Sequence, residues 1–99
     1  MSAYLVACVQ WHDPDATAAY GKLVVDSMQP YGGKYLARGA PAAALEGDQA
    51  PKRLAIVEFP TVAQARQWHA SPEYAPVKKI RDEHATTFWI ILMDQMPTS

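Results

Sequence analysis

Arg38 and Glu58 are the polar pair with the most chemistry to offer. Each falls toward the end of an apolar stretch, and a symmetric hairpin turning around Asp48 sets the two opposite one another. So placed, they form either a cross-strand ion pair that pins the hairpin register or an anion-binding arginine with its orienting carboxylate. In the second case Glu58 is also a candidate base. His69 and Tyr74 make another constellation, on either side of Ser71-Pro72. A helix end, a cap and a new helix start there bring an imidazole and a phenol into one neighbourhood. His69 suits a general base near neutral pH, and Tyr74 a hydrogen-bond donor to an enolate or phenolate. The plainer account makes Ser71 a helix cap, Tyr74 a core aromatic and His69 a solvated residue beside Trp68. His69 and Glu58 are thus the candidate acid–base residues, and Arg38, Tyr74, Tyr35 and Ser71 the candidate ligand-binding ones.

Other reactive types offer less. His12 has Asp13 and Asp15 nearby but no paired ligands at definite separation, so no metal site is expected. Cys8 sits among apolar neighbours without an adjacent cation to activate it and reads as a small buried hydrophobe. Tyr31-Gly32-Gly33 follows a helix, whereas a phosphate-binding glycine loop opens one. Lys78-Lys79-Ile80-Arg81 is offset by Glu73, Asp82 and Glu83 and reads as a solvated helix face. Tyr4, Trp11, Tyr20, Tyr31, Tyr35, Trp68, Tyr74 and Trp89 are either core and interface anchors or the lining of a pocket for a planar organic ligand.

The elements that position these residues follow from pattern. Ala3 to Trp11 is a strand, without glycine or proline. Asp13 caps, Pro14 suits the first helical position, and Ala16, Tyr20, Leu23, Val24, Met28 and Tyr31 form an apolar stripe that Gly32-Gly33 ends. Lys34 to Ala40 and Arg53 to Phe59 are strands, with a short strand possible at Ala43 to Glu46 between them. Thr61 and Gln64 form a capping box for a second helix facing inward through Val62, Ala65 and Trp68. Ser71-Pro72-Glu73 opens a third, to about His84, and Thr86 to Asp94 is the last strand; Met96 to Ser99 is expected to fray. The order β-α-β-β-α-(α)-β predicts one α+β domain over 1–99, of ferredoxin-like split βαβ type, with a four-stranded antiparallel sheet.

Such a sheet carries helices on one face only, so its strands should alternate apolar and polar if the other face met water. They do not. Ala3, Leu5, Ala7, Val9 and Trp11 oppose Tyr4, Val6 and Cys8; Leu54 and Ile56 oppose Ala55, Val57 and Phe59; Thr87, Trp89, Ile91 and Met93 oppose Phe88, Ile90 and Leu92. Both faces are apolar, and the simplest cover for the open one is a second copy of the same sheet, giving a homodimer. Nine Lys+Arg against ten Asp+Glu, a net charge of -1, leave no basic footprint for nucleic acid. The N-terminal stretch has neither a positive n-region nor the length of a membrane span, so a cytoplasmic protein is expected. The single cysteine excludes an internal disulfide framework.

Tyr31-Gly32-Gly33-Lys34-Tyr35-Leu36-Ala37-Arg38-Gly39, Leu45-Glu46-Gly47-Asp48, Ile56-Val57-Glu58-Phe59-Pro60, Ala65 to Trp68 and Ser71-Pro72-Glu73-Tyr74, in this order and spacing, resemble domain-of-unknown-function family 1330. His69 after the tryptophan departs from the pattern. The resemblance implies a dimeric α+β barrel, a superfamily that also holds cofactor-free monooxygenases, isomerases, haem enzymes and stress-response proteins. Fold analogy alone assigns no reaction. Apolar strands that fill a short chain leave little room for haem, so no cofactor is expected. The expectation is a dimer that binds a small anionic or aromatic molecule, with acid–base chemistry of isomerase or monooxygenase type. Its counterpart is a non-catalytic binding or stress-related dimer whose polar residues only hold the fold.

Overall fold

The computed structural model describes residues 2–48 and 53–95. Its elements are β1 (Ala3–Trp11), α1 (Pro14–Met28) with a short 3-10 turn (Gln29–Tyr31), β2 (Lys34–Pro41), β3 (Arg53–Phe59), α2 (Val62–His69), α3 (Ala75–His84) and β4 (Ala85–Asp94). The strands form one antiparallel sheet in the order β2-β3-β1-β4, the split βαβ arrangement that the element order predicts. The smallest extent of the molecule is 17 Å, the thickness of one sheet and one layer of helices.

Local chemistry sets the helix boundaries. The Asp13 carboxylate accepts from the Asp15 and Ala16 amides at 2.9 and 3.4 Å, and Pro14 follows at the first helical position. Gly32, at φ 77°, closes the turn after α1 in the left-handed region. Gly33 is required by packing: a Cβ there would lie 2.7 Å from Cε1 of Phe59 and 3.0 Å from Cβ of Met28. Thr61 Oγ1 accepts from the Gln64 amide at 3.1 Å and starts α2. Ser71 Oγ donates to the Trp68 carbonyl at 2.7 Å and accepts from the Tyr74 amide at 3.1 Å, joining the end of α2 to the approach of α3.

One sheet face meets the helices. Leu5, Val57 and Phe59 pack there against Val24 and Met28 of α1, Ala65 and Trp68 of α2, Tyr74 and Val77. The other face is apolar too: Tyr4 stands between Glu58 and Met93, and Val6 between Ile56 and Ile91. Leu36, Trp89, Ile91 and Met93 remain 55, 36, 47 and 47% exposed, the state expected of a sheet face with no helix over it.

Several expectations need correction. Ala43 to Glu46 forms no strand. Leu23 is exposed, and Val25, two residues on and nearly opposite it round the helix, packs against the core in its place. Phe88 is 52% exposed rather than on the inner face with Ile90, because the β1–β4 register shifts between Cys8 and Val9 and breaks the alternation beside it. The expected fraying of Met96 to Ser99 lies outside the described residues.

The largest correction concerns the hairpin. Glu58 stands opposite Lys34, not Arg38, and their charged groups approach to 3.2 Å. Two register shifts in the β2–β3 ladder, from Tyr35 to Ala37 and from Ala37 to Ala40, end the simple pairing on which the Arg38–Glu58 match depended. Gly39, at φ 67°, supplies the left-handed residue in the second.

Candidate functional site

Between α1 and the inner sheet face lies a cleft of about 1020 Å³. Alternation along β1 places Leu5, Ala7, Val9 and Trp11 on its floor, and Tyr35, Val57 and Ile90 continue the floor across the sheet. Tyr20, Gly21 and Val25 of α1 form the opposite wall, and Trp68, Tyr74 and Arg81 reach it from behind. Trp11 and Tyr20 touch across the cleft with ring centroids 4.8 Å apart. The walls are thus mostly apolar and aromatic with a few polar groups, the usual make-up of a small-molecule site.

Arg38 is at the rim. Its Nη2 donates to the Gly21 carbonyl at 3.0 Å, and its guanidinium lies 4.8 Å from the centre of the Tyr35 ring. A Cβ at position 21 would meet that Nη2 at 3.4 Å, an ordinary contact, so the arginine lies directly on the helix backbone there. Burial pushes the Tyr35 phenol far above its ordinary range, where it is a neutral donor.

Behind the wall runs a chain of hydroxyls ending on a cation. Arg81 Nη1 donates to the Tyr74 hydroxyl at 2.9 Å, and the Tyr74 and Tyr20 hydroxyls are 3.1 Å apart. Arg81 is only 5% exposed, so it does not belong to a solvated basic face as the charges around it in sequence imply. A periodic signal was present: Tyr74, Val77 and Arg81 recur at three- and four-residue steps, which stacks them on the inward side of α3. Tyr20 carried only the signal of a stripe aromatic.

The remaining candidates lie elsewhere. Glu58 is on the open sheet face, where the Ser2 hydroxyl and then the Lys34 ammonium hold its carboxyl below the ordinary range. Ser71 is buried and its hydroxyl is occupied by the two backbone bonds described above. His69 does come near Tyr74, with ring centroids 5.9 Å apart, but it is an exposed residue at the end of α2 and does not line the cleft.

Partial burial first, then the Arg81 and Lys78 charges, lower the His69 pKa below its ordinary 6.5. The folded chain therefore binds fewer protons at this position than the unfolded one. The resulting contribution to stability is present above the unfolded value and is lost as pH falls through the lowered one. A proton NMR titration is expected to put the His69 midpoint below that of the same residue in the urea-unfolded chain; a higher midpoint would contradict the packing described.

Among curated proteins none matches the chain in sequence. A family model described as a domain of unknown function, DUF1330, matches residues 2–95. Solved structures share the fold at low identity. Methylated RPA0582, from Rhodopseudomonas palustris, is 21% identical with a TM-score of 0.70, over 97% of this chain and 82% of that one. SnoaB, a cofactor-independent oxygenase from Streptomyces nogalater, is 13% identical with a TM-score of 0.68, over 98% and 95%. A conserved protein from Methanosarcina mazei Go1 is 15% identical with a TM-score of 0.59, over 97% and 94%.

Proposed function

The chain belongs to the DUF1330 family, and from that premise we propose that it is a homodimer in which each protomer binds a small planar aromatic molecule between α1 and the sheet. The cleft carries this reading. Its volume of about 1020 Å³ exceeds what side-chain packing leaves by accident, and Trp11, Tyr20 and Tyr35 offer ring faces to a flat ligand. Arg38 at the rim and Tyr74 behind the wall are its polar groups, with Ser71 acting only through the backbone that positions Tyr74. Glu58 and His69 stand outside the cleft, so the reading gives neither a proton to move.

Support for the dimer is the apolar outer sheet face, which an identical face covers about a two-fold axis. The dimer leaves the cleft free, because the sheet itself stands between the cleft and that face. Buried Cys8, the chain's single cysteine, suits a reducing compartment, and we place the protein in the cytoplasm.

The cleft is tested by thermal shift with naphthalene and 1-naphthol. Both are expected to raise the Tm of the wild-type protein, and Ala7→Phe, which sets a ring on the cleft floor, is expected to abolish the rise. No shift with either compound in the wild-type protein would refute the binding function.

A further inference from the structure

The relay behind the cleft has a direction. A guanidinium has no acceptor atoms, so the Tyr74 oxygen must accept the bond from Arg81 Nη1. Tyr74 is fully buried, and the Tyr20 hydroxyl oxygen is the hydrogen-bond acceptor its own proton reaches, at 3.1 Å. Were Tyr20 to donate instead, the Tyr74 proton would be buried without a partner, which costs more than any gain from reversal. The order is therefore Arg81 to Tyr74 to Tyr20, and the relay ends on a Tyr20 proton with no protein acceptor among the described residues.

Tyr20 lines the cleft and, unlike fully buried Tyr74, is partly exposed there. Packing of its ring on Trp11 fixes the position of its hydroxyl oxygen, and each bond in a chain anchored on a cation polarises the next. Burial holds the Tyr20 phenol protonated far above its ordinary range, so it remains a donor at all working pH values.

A second observation concerns charge. Arg81 Nε is buried and has no hydrogen-bond partner among the described residues, and the nearest carboxylate, that of half-exposed Asp82, lies 3.5 Å from Nη2. That pairing is long and half-solvated, so Arg81 leaves positive potential on the side of the cleft it lines. The other ionisable side chains around the cleft repeat the bias: Lys22, Arg38 and Arg53 against Asp26. The chain as a whole is net negative, so this excess belongs to the cleft.

We propose that Tyr20 is the recognition donor of the cleft and that its ligand is an aromatic oxyanion, whose charged oxygen accepts the relay's terminal hydrogen bond. This rests on the aromatic-cleft reading and adds the charge and the atom that reads it. Phenolates and aryl carboxylates share the required chemistry.

The test compares 4-nitrophenolate and benzoate with their neutral counterparts 4-nitroanisole and benzamide, by calorimetric titration of the wild-type protein, Tyr20→Phe and Tyr74→Phe. Both substitutions keep the ring and its packing, and circular dichroism checks the fold. The wild-type protein is expected to favour at least one anion over its neutral partner by on the order of tenfold or more. Which anion does so separates phenolate from carboxylate ligands. Tyr20→Phe is expected to erase the preference while leaving the neutral compound bound, and Tyr74→Phe to reduce it in the same direction. An unchanged preference in Tyr20→Phe, or equal binding of anion and neutral compound by the wild-type protein, overturns the oxyanion assignment and leaves the aromatic cleft standing. Failure of all four to bind overturns both.

Discussion

Ile91→Glu is expected to leave the protein monomeric, with a light-scattering mass near 10.9 kDa where the wild-type protein gives twice that value. Ile91 is 47% exposed in a single chain and lies opposite Val6 on the open sheet face. In the proposed dimer that face is the core between two sheets, and a two-fold axis places each substitution in it twice. An unpaired carboxylate buried in such an interface costs about 3–5 kcal/mol, enough to weaken a dimer by two orders of magnitude or more. Leu45→Glu is the control: Leu45 is 98% exposed in the segment after β2, and a charge there is expected to change neither mass nor stability. A wild-type mass near 10.9 kDa at micromolar concentration would remove the dimer altogether.

Phe59→Ala is expected to lower the unfolding free energy by about 3–5 kcal/mol, measured by urea denaturation at fixed protein concentration. The Phe59 ring is fully buried, sits 5.4 Å from that of Trp68, and fills the space that Gly33 leaves beside Met28. Little nearby can collapse into the vacancy. The backbone of Gly33 already lies against the ring, and Trp68 is held by a 3.0 Å bond from Nε1 to Ser27 Oγ. For a domain of this size the loss is a large part of the total stability. A loss below about 1 kcal/mol would show that the site refills, contrary to the packing described.

Much of this was legible in the residues. Strand boundaries at Ala3–Trp11 and Arg53–Phe59, the Asp13 cap, the Thr61 cap and the two apolar sheet faces follow from periodicity and capping chemistry, which act over a few residues. The cleft was legible only as an excess of aromatics. Arg38 was singled out but given the wrong neighbour, since which residues face each other across a hairpin depends on shifts that alternation does not encode. Arg81 was hidden by its surroundings: Lys78, Lys79, Asp82 and Glu83 are solvated, and the turn of the helix that carries Arg81 inward is the one that carries Val77.

By itself, then, the sequence determined the order of elements, the one-sided helix layer and an outer sheet face too apolar for water, because these rest on local periods of two and 3.6 residues. Only the tertiary structure decided which polar groups meet. Glu58 went to Lys34 on the outer face, 24 residues away, Arg38 to the Gly21 carbonyl, 17 away, and Arg81, seven residues from Tyr74, through it to Tyr20, 54 residues from Tyr74. Hydrogen bonds between distant side chains depend on register and helix placement to within about an ångström, and those are settled by the packing of the whole core.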